Sequence, residues 1–345
     1  MNPYLSDKIK VVSFLAIIVV FYIHANISDG VGQTLLLPSL GRKCIAGVFG
    51  PCAVPMFYAI SGFLYFRGIS RGVSDVFGKM RRRVLSLLVP FVIAAIVYPL
   101  QPVLKQWLLH SAAERDYLLL ARDGGLLYTL RCLFVDSGTG MPWAYHLWFM
   151  RDLLILVVLS PLLYYLRRAM GGWLLVPLVA VYVLMPQVRF LFAAIWFVAG
   201  SFVLGRLHDV PRWLVVMCAV LFLSLAVYHQ LVDYAAWRYV QLLEISCGLV
   251  ALWCAYDWVA GRGFRLGTHR WLALACQFTF FIYLYHEPML HTVVKAIATV
   301  MGGTEWACLA AVLLPPLIVA PMGVAVGCVL RRLLPAFYGI LTGGR

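Results

Sequence analysis

Few ionisable side chains interrupt the apolar runs of this 345-residue chain. A charge at the centre of a bilayer costs at least about 2.5 kcal/mol, so each of them marks a candidate site with a partner. His24 stands in an otherwise apolar run fourteen residues after Lys10, which is about 21 Å along a helix. His286 lies fifteen residues past Trp271, at a similar depth in its own run, with Glu287 beside it and Pro288 next. A third group opens another run as Tyr145-His146-Leu147-Trp148-Phe149-Met150-Arg151-Asp152, and Glu244 sits early in the run that follows Arg238. One polar cavity, open on the side away from Lys10, would collect all of these. An imidazole there suits general-base work, because its ordinary pKa of about 6.5 leaves a neutral ring able to accept a hydroxyl proton, and a neighbouring carboxylate would orient it.

Each residue also admits a plainer reading. Arg151 and Asp152 would serve as an interfacial ion pair, and His146 as a headgroup-level histidine. Glu287 before Pro288 would satisfy backbone groups freed at a helix break. The basic cluster Arg67, Arg71, Lys79, Arg81, Arg82 and Arg83 reads either as a topology signal alone or as a contact for an anionic, phosphate-bearing ligand. His24 is the hardest to dismiss as packing. The remaining histidines, 110, 208, 229, 269 and 291, read as loop or interfacial residues. No Gly-x-Ser-x-Gly elbow, phosphate-binding glycine loop, HExxH or dinucleotide fingerprint occurs. Ser61, in Ile60-Ser61-Gly62-Phe63, reads as a residue that permits close helix packing rather than as a nucleophile.

The elements that must position these groups follow from composition. The chain is 63% hydrophobic and 12% charged, against about 25% charged in a soluble domain, and its mean hydropathy is +0.90. That excludes a soluble domain and intrinsic disorder. A spanning helix needs roughly 17 to 25 mostly apolar residues. Segments near 9–27, 45–66, 84–106, 145–166, 172–188, 190–206, 213–230, 237–258, 271–292 and 306–330 qualify. The expected fold is therefore an all-α, polytopic transmembrane bundle of about ten spans, with both termini on one side. The short pair around Gln187 is the least distinct.

The net charge of +14 would suggest nucleic acid in a soluble protein, but the basic residues lie in short clusters between apolar runs, as in loops that face anionic lipid. Sorting them places the majority on the side of the N-terminus, which predicts that both termini are cytoplasmic and that nucleic acid is not a partner. The first segment lacks a small-residue cleavage site and reads as a retained span. The connection 107–144, with Trp107, Glu114, Asp116, Asp123, Arg131, Asp136 and Trp143, suggests one or two interfacial helices. The nine cysteines show no metal-ligand spacing and read as small buried hydrophobes; Cys44 with Cys132 is the alternative disulfide pair. No internal repeat or separate soluble domain is present, so residues 1–345 form one integral membrane domain and the chemistry belongs in the bundle or at its faces.

In order and spacing, several stretches resemble the acyltransferase family 3 integral membrane proteins, which O-acylate exported or cell-surface carbohydrates. They are Lys10 with His24, Val54-Pro55-Met56-Phe57-Tyr58-Ala59-Ile60-Ser61-Gly62-Phe63-Leu64, and Lys79 to Arg83 leading into Leu87-Leu88-Val89-Pro90. Further along come His146-Leu147-Trp148-Phe149-Met150-Arg151-Asp152-Leu153, Trp196-Phe197-Val198-Ala199-Gly200 and Phe280-Phe281-Ile282-Tyr283-Leu284-Tyr285-His286-Glu287-Pro288. The resemblance covers nearly the whole chain. It implies an acyl-CoA donor, commonly acetyl-CoA, arriving from the cytosol, and an acceptor hydroxyl on a glycan or lipid-linked sugar outside a bacterial cytoplasmic membrane. No metal is implied.

The resemblance also assigns roles. The family's essential first-helix histidine maps to His24, with Glu287 or Asp152 orienting groups. Its usual pattern is Arg, ten residues, then His. Here Ser13 holds the Arg position and Lys10 lies nearly one turn earlier, while the cytoplasmic Arg-x-x-Arg signal becomes Lys79-Met80-Arg81-Arg82. Donor binding is carried over to Lys10, Lys79, Arg81, Arg82 and Arg83 as a group, and acceptor contacts to His146, Trp148, Arg151, Tyr283 and His286. Direct transfer and a covalent acyl-histidine both stay open. Two rival readings remain: a proton-coupled transporter or flippase with His24, Glu244 and Glu287 as a relay, and a lipid-binding scaffold without activity.

Overall fold

Inside a bilayer, backbone amides must be satisfied within their own segment or by a closed barrel. This chain meets that demand with helices. The computed structural model describes residues 2–25, 36–69, 72–109, 117–136, 138–185, 188–232, 238–302 and 304–344. Among the described residues there is no strand. In chain order the helices are α1 (Pro3–His24), α2 (Leu36–Arg42), α3 (Val48–Phe66), α4 (Val73–Leu109), α5 (Tyr117–Cys132), α6 (Trp148–Val158), α7 (Ser160–Met170) and α8 (Leu175–Leu184). They continue as α9 (Arg189–Val203), α10 (Arg212–Leu231), α11 (Arg238–Ala260), α12 (Arg270–Gln277), α13 (Thr279–Tyr285), α14 (Met289–Val300), α15 (Glu305–Leu333) and α16 (Pro335–Thr342).

Six helical stretches among the described residues are long and apolar enough to cross a membrane: Leu36–Phe66, Val73–Leu104, Ser160–Leu184, Arg212–Leu231, Arg238–Ala260 and Glu305–Leu333. The ten expected segments thus fall on helices, but several are broken. Segment 145–166 divides into α6 and α7 at Leu159, with a proline in the first turn of α7. Segments 172–188 and 190–206 become α8 and α9, of 10 and 15 residues, with Gln187 outside the described residues. Segment 271–292 becomes α12, α13 and the start of α14. The basic residues 79–83, expected in a loop, are helical because α4 begins at Val73; Arg71 lies outside the described residues.

α1 touches much of the bundle while leaving Leu15 exposed. The Asn2 side chain caps it by accepting from the Tyr4 amide at 3.0 Å, and Pro3 opens it. It packs against α3, α11, α12, α13, α14 and α15. Its foot is fixed by a buried cation: the Lys8 ammonium lies 2.6 Å from Asp257 Oδ2 and 4.4 Å from the centre of the Trp253 ring, and the Tyr4 hydroxyl donates to Asp257 Oδ1 at 2.5 Å. Sequence reasoning counted Lys8 only as a topology charge.

α3 and α9 approach backbone to backbone. A Cβ on Gly62 would strike the carbonyl of Phe197, and one on Gly200 the carbonyl of Ala59. Only glycines allow this contact, as in small-residue membrane interfaces. The close-packing role expected of Ser61 falls to its neighbour Gly62, while Ser61 faces a cavity.

Both ends of the chain reach one face of the bundle. Lys10, Arg83 and Gln277 line a common cavity there, Arg331 donates to Gln277 Oε1 at 2.9 Å, and Gly343 abuts the Ser86 backbone. On the connection 107–144, α5 bends at Gly125 (φ 72°) and exposes Leu118, Leu119, Leu126, Leu127 and Leu130, which fits an interfacial helix; His110, Glu114 and Asp116 lie outside the described residues. All nine cysteines are free thiols, so Cys44 and Cys132 are not paired.

Candidate active site

The last residue of α1 carries the imidazole that sequence reasoning singled out. The His24 ring lies 5.5 Å from that of His286 and 5.2 Å from that of Tyr145, measured between ring centres. The His286 ring is in turn 5.1 Å from His146 and stacks on Phe21 at 4.6 Å. Three histidines, from α1, from the 3-10 turn Tyr145–Leu147 just before α6 and from the break between α13 and α14, therefore form one group. Burial distinguishes them: His146 and His286 are 3% and 2% exposed, whereas His24 is half-buried. His24 is the least buried of the three.

Hydrogen bonds fix the other two rings. His286 Nδ1 faces the Tyr283 carbonyl at 2.8 Å and His146 Nε2 faces the Leu284 carbonyl at 3.2 Å. A carbonyl only accepts, so those nitrogens donate. In the neutral rings the lone pairs then sit on His286 Nε2 and His146 Nδ1, which are buried and have no partner among the described residues. The Tyr283 hydroxyl donates to the His146 carbonyl at 3.1 Å and ties α13 to the turn before α6. Glu287 is also buried, and its Oε1 accepts from the Tyr145 hydroxyl at 3.0 Å. Tyr145 thus links the carboxylate to His24, its ring in an edge contact with the imidazole at an interplanar angle of 70° and its hydroxyl on Glu287. Among the described residues the His24 ring makes no hydrogen bond, so its nitrogens are open to an incoming group.

The rest of the predicted acceptor side is arranged differently from expectation. Arg151 Nε donates to Asp152 Oδ1 at 2.9 Å, and Arg151 Nη1 reaches the carbonyls of Phe134 at 3.3 Å and Gly140 at 2.9 Å. The guanidinium therefore ties the Phe134 and Gly140 carbonyls to α6. Asp152 is buried against it, and the ion-pair partner it shows is Arg151. Trp148 is half-buried and makes no ring contact with them. Glu244 is fully buried at the interface of α10 and α11, where His229 Nδ1 lies 3.2 Å from its Oε2. It belongs to a separate place, not to the cavity expected to gather all these groups.

On the face that holds the termini, a cavity of about 310 Å³ runs between α1, α3, α4, α6, α12 and α13. Lys10, Ser13, Arg83 and Gln277 line it, and Tyr283, Phe149 and Met150 line it as well. Tyr283 is the residue whose hydroxyl holds the His146 carbonyl, so this cavity borders the support of the histidine group. Lys10 and Ser13 share it because residues three apart lie on one side of a helix. Of the expected donor residues, Lys10 and Arg83 line the cavity. Arg81 and Arg82 are exposed beside it. Lys79 is used otherwise: its ammonium donates to the carbonyls of Tyr65, at 2.8 Å, and of Arg67, so it caps the C-terminal end of α3. No group of three or more His, Cys, Asp and Glu among the described residues is arranged to hold a metal ion.

Residues 7–331 match the family model of the acyltransferase 3 domain, described as an acyltransferase domain. The chain belongs to acyltransferase family 3. No curated protein and no solved structure matches it. As a family 3 acyltransferase it is an integral membrane enzyme that transfers acyl groups, and the family match covers every residue of the site described above. Sequence reasoning missed Tyr145, Phe21 and the His229 partner of Glu244. Tyr145 directly precedes His146, and an exposed-looking tyrosine at a helix start gives no signal of its own; it is recognised only once the partner carboxylate is in place.

Proposed function

We propose that this family 3 enzyme moves an acyl group, acetyl in the first instance, from acyl-CoA on the cytosolic face to a hydroxyl of an exported or cell-surface glycan, and that it sits in a bacterial cytoplasmic membrane. One observation carries the reading: the least buried imidazole of the three, His24, stands at the opposite end of α1 from Lys10 and the cavity that Lys10 and Arg83 line. In this reading the donor enters from the cavity at one end of α1, the acceptor comes from the other end, and the two meet at His24. Lys10 and Arg83 hold the phosphates of the donor, with Arg81 and Arg82 adding positive charge outside the cavity mouth. The thioester passes inward along Ser13 and Tyr283.

His24 takes the proton of the acceptor hydroxyl as its oxygen bonds to the thioester carbonyl carbon. Collapse of the tetrahedral intermediate breaks the carbon–sulfur bond, and the imidazolium returns the proton to the departing thiolate. The products are the O-acyl ester and free CoA. Tyr145 and Glu287 orient His24, and His146 and His286 supply bare nitrogens next to it.

Purified protein in vesicles, supplied with labelled acetyl-CoA and candidate glycans, tests the proposal. Ester formation is expected, with a loss of about 10²- to 10⁴-fold in His24→Ala at equal membrane abundance, the range of one general base. Wild-type product formation by that variant refutes the role. The transport reading requires Glu244 in a relay with His24, yet Glu244 is paired with His229 elsewhere. A transporter would move solute without consuming thioester.

A further inference from the structure

The cavity lined by Lys10 and Arg83 has a further polar wall residue whose orientation is set from outside it. Gln277, the last residue of α12, lines the cavity. Its Oε1 accepts from Arg331 Nη1 at 2.9 Å, and its Nε2 donates to the Ala273 carbonyl, one turn earlier, at 3.3 Å. A guanidinium only donates, so the amide oxygen must face Arg331 and the NH2 group must turn away from it. An amide NH2 has two N–H donors, and Ala273 takes one of them. The second is left for an occupant of the cavity.

Local geometry places Arg331 there. One turn before it, a Cβ on Gly327 would lie 2.5 Å from Phe278 Cδ1, so α15 passes this ring at a distance that only glycine permits. Residues four apart share a helix face. Arg331 therefore falls over the same ring, its Cζ 4.6 Å from the ring centre. Phe278 is fully buried and also meets Tyr338 of α16 at 5.9 Å, which makes it a fixed platform for the planar guanidinium. Gln277 is the residue directly before that platform. Just past α16, Gly343 lies against the Ser86 backbone, and Ser86 Oγ donates to the Arg83 carbonyl at 3.2 Å. α16 thus bridges the wall that carries Gln277 and the wall that carries Arg83.

We infer that Arg331 is a positioning residue for the donor: it holds the Gln277 carboxamide so that an N–H is offered to a phosphate oxygen of acyl-CoA, alongside Lys10 and Arg83. An N–H on an anionic oxygen is a charge-assisted bond, stronger than one between neutral groups. The inference rests on the acyl-CoA reading proposed above and adds to it two residues, on α12 and α15, outside the basic group assigned to the donor.

Calorimetric titration of CoA into the purified protein in lipid nanodiscs tests it, with melting temperature and the kcat and KM for acetyl-CoA measured alongside. Arg331→Met should weaken CoA binding about five- to tenfold, the lower end for a bond to a charged group because both side chains are exposed. The loss should appear in KM and not in kcat, and Arg331→Lys, which keeps a donor for Oε1, should recover part of it. Gln277→Glu keeps an acceptor toward Arg331 and so holds the melting temperature, yet it has no N–H to offer and brings a negative charge to the cavity, so CoA binding should fall more than about tenfold. Arg331→Met with Gln277→Leu should be no weaker than Gln277→Leu alone. Unchanged CoA affinity in Arg331→Met or in Gln277→Glu overturns the inference. Additive losses in the double variant overturn it too, since Arg331 would then meet the donor itself. So does a loss in Arg331→Met that comes with lowered kcat and melting temperature and is not recovered by Arg331→Lys, because that marks a purely structural contact. Wild-type protein that binds no CoA refutes the donor reading and this inference together, whereas wild-type binding with unaffected variants refutes this inference alone.

Discussion

The Tyr145 hydroxyl is the single contact through which Glu287 is tied to the ring that packs on His24, and Tyr145→Phe removes that contact while leaving the aromatic ring in place. A hydrogen bond to a charged group is worth about 1.5–3 kcal/mol. Tyr145 is 38% exposed, so water can replace part of the lost donor and the effect belongs at the lower end, about 1.5 kcal/mol or roughly tenfold in rate. The assay is transfer from labelled acetyl-CoA in vesicles, with kcat and KM for donor and acceptor measured separately at matched abundance. A positioning role predicts a fall in kcat with donor KM unchanged, and it predicts that Tyr145→Phe combined with Glu287→Ala, which removes the acceptor, is no worse than Glu287→Ala alone, since both act through one bond. Additive losses would refute the coupling of Tyr145 to Glu287, and a Tyr145→Phe enzyme with full kcat would refute the orienting role altogether.

Other consequences follow from the same geometry. Arg83→Ala should raise KM for acyl-CoA severalfold with kcat nearly intact, whereas Lys79→Ala should lower thermal stability without changing that KM, because Lys79 is engaged by the α3 carbonyls; donor titration and a melting scan on both variants distinguish the two roles. Gly62→Ala should destabilise the protein by about 1–3 kcal/mol or more, seen as a lowered melting temperature or loss from the membrane, since the new methyl meets the Phe197 backbone. Asp257→Asn should cost about 2 kcal/mol of stability, below the 3–5 kcal/mol of a fully buried broken pair because Asp257 is 29% exposed, and activity should fall with it although the site is far away.

Much of this was legible in the sequence because the bilayer restricts the possibilities. Apolar runs of spanning length in a 63% hydrophobic chain leave helices as the outcome, and a histidine such as His24 or His286 inside one stands out. Counting fourteen residues from Lys10 and fifteen from Trp271 put these two at similar depths, and their rings are 5.5 Å apart. Hydropathy could not reveal where helices break. It merges α12, α13 and α14, whose interruption around His286 is a backbone matter decided by tertiary packing. Nor could it sort cations by task. Lys8, Lys79 and Arg83 look alike in a charge count, yet one is paired inside the bundle, one caps a helix and one lines a cavity. Arg151 shows the same limit: its type suggested acceptor binding, while its reach to the Phe134 and Gly140 carbonyls depends on a fold of the outer segment that no local pattern encodes.

The clasp of Lys8 by Asp257, Trp253 and Tyr4 has a mechanical meaning for the enzyme. His24 lies sixteen positions after Lys8, so about 24 Å of helix carries the imidazole away from that clasp. A tilt of about 5° at the clasp would swing the imidazole by about 2 Å, and misplacement of only about 1 Å can slow an enzymatic step about a hundredfold. Whatever loosens the foot of α1 is therefore felt most strongly at its tip.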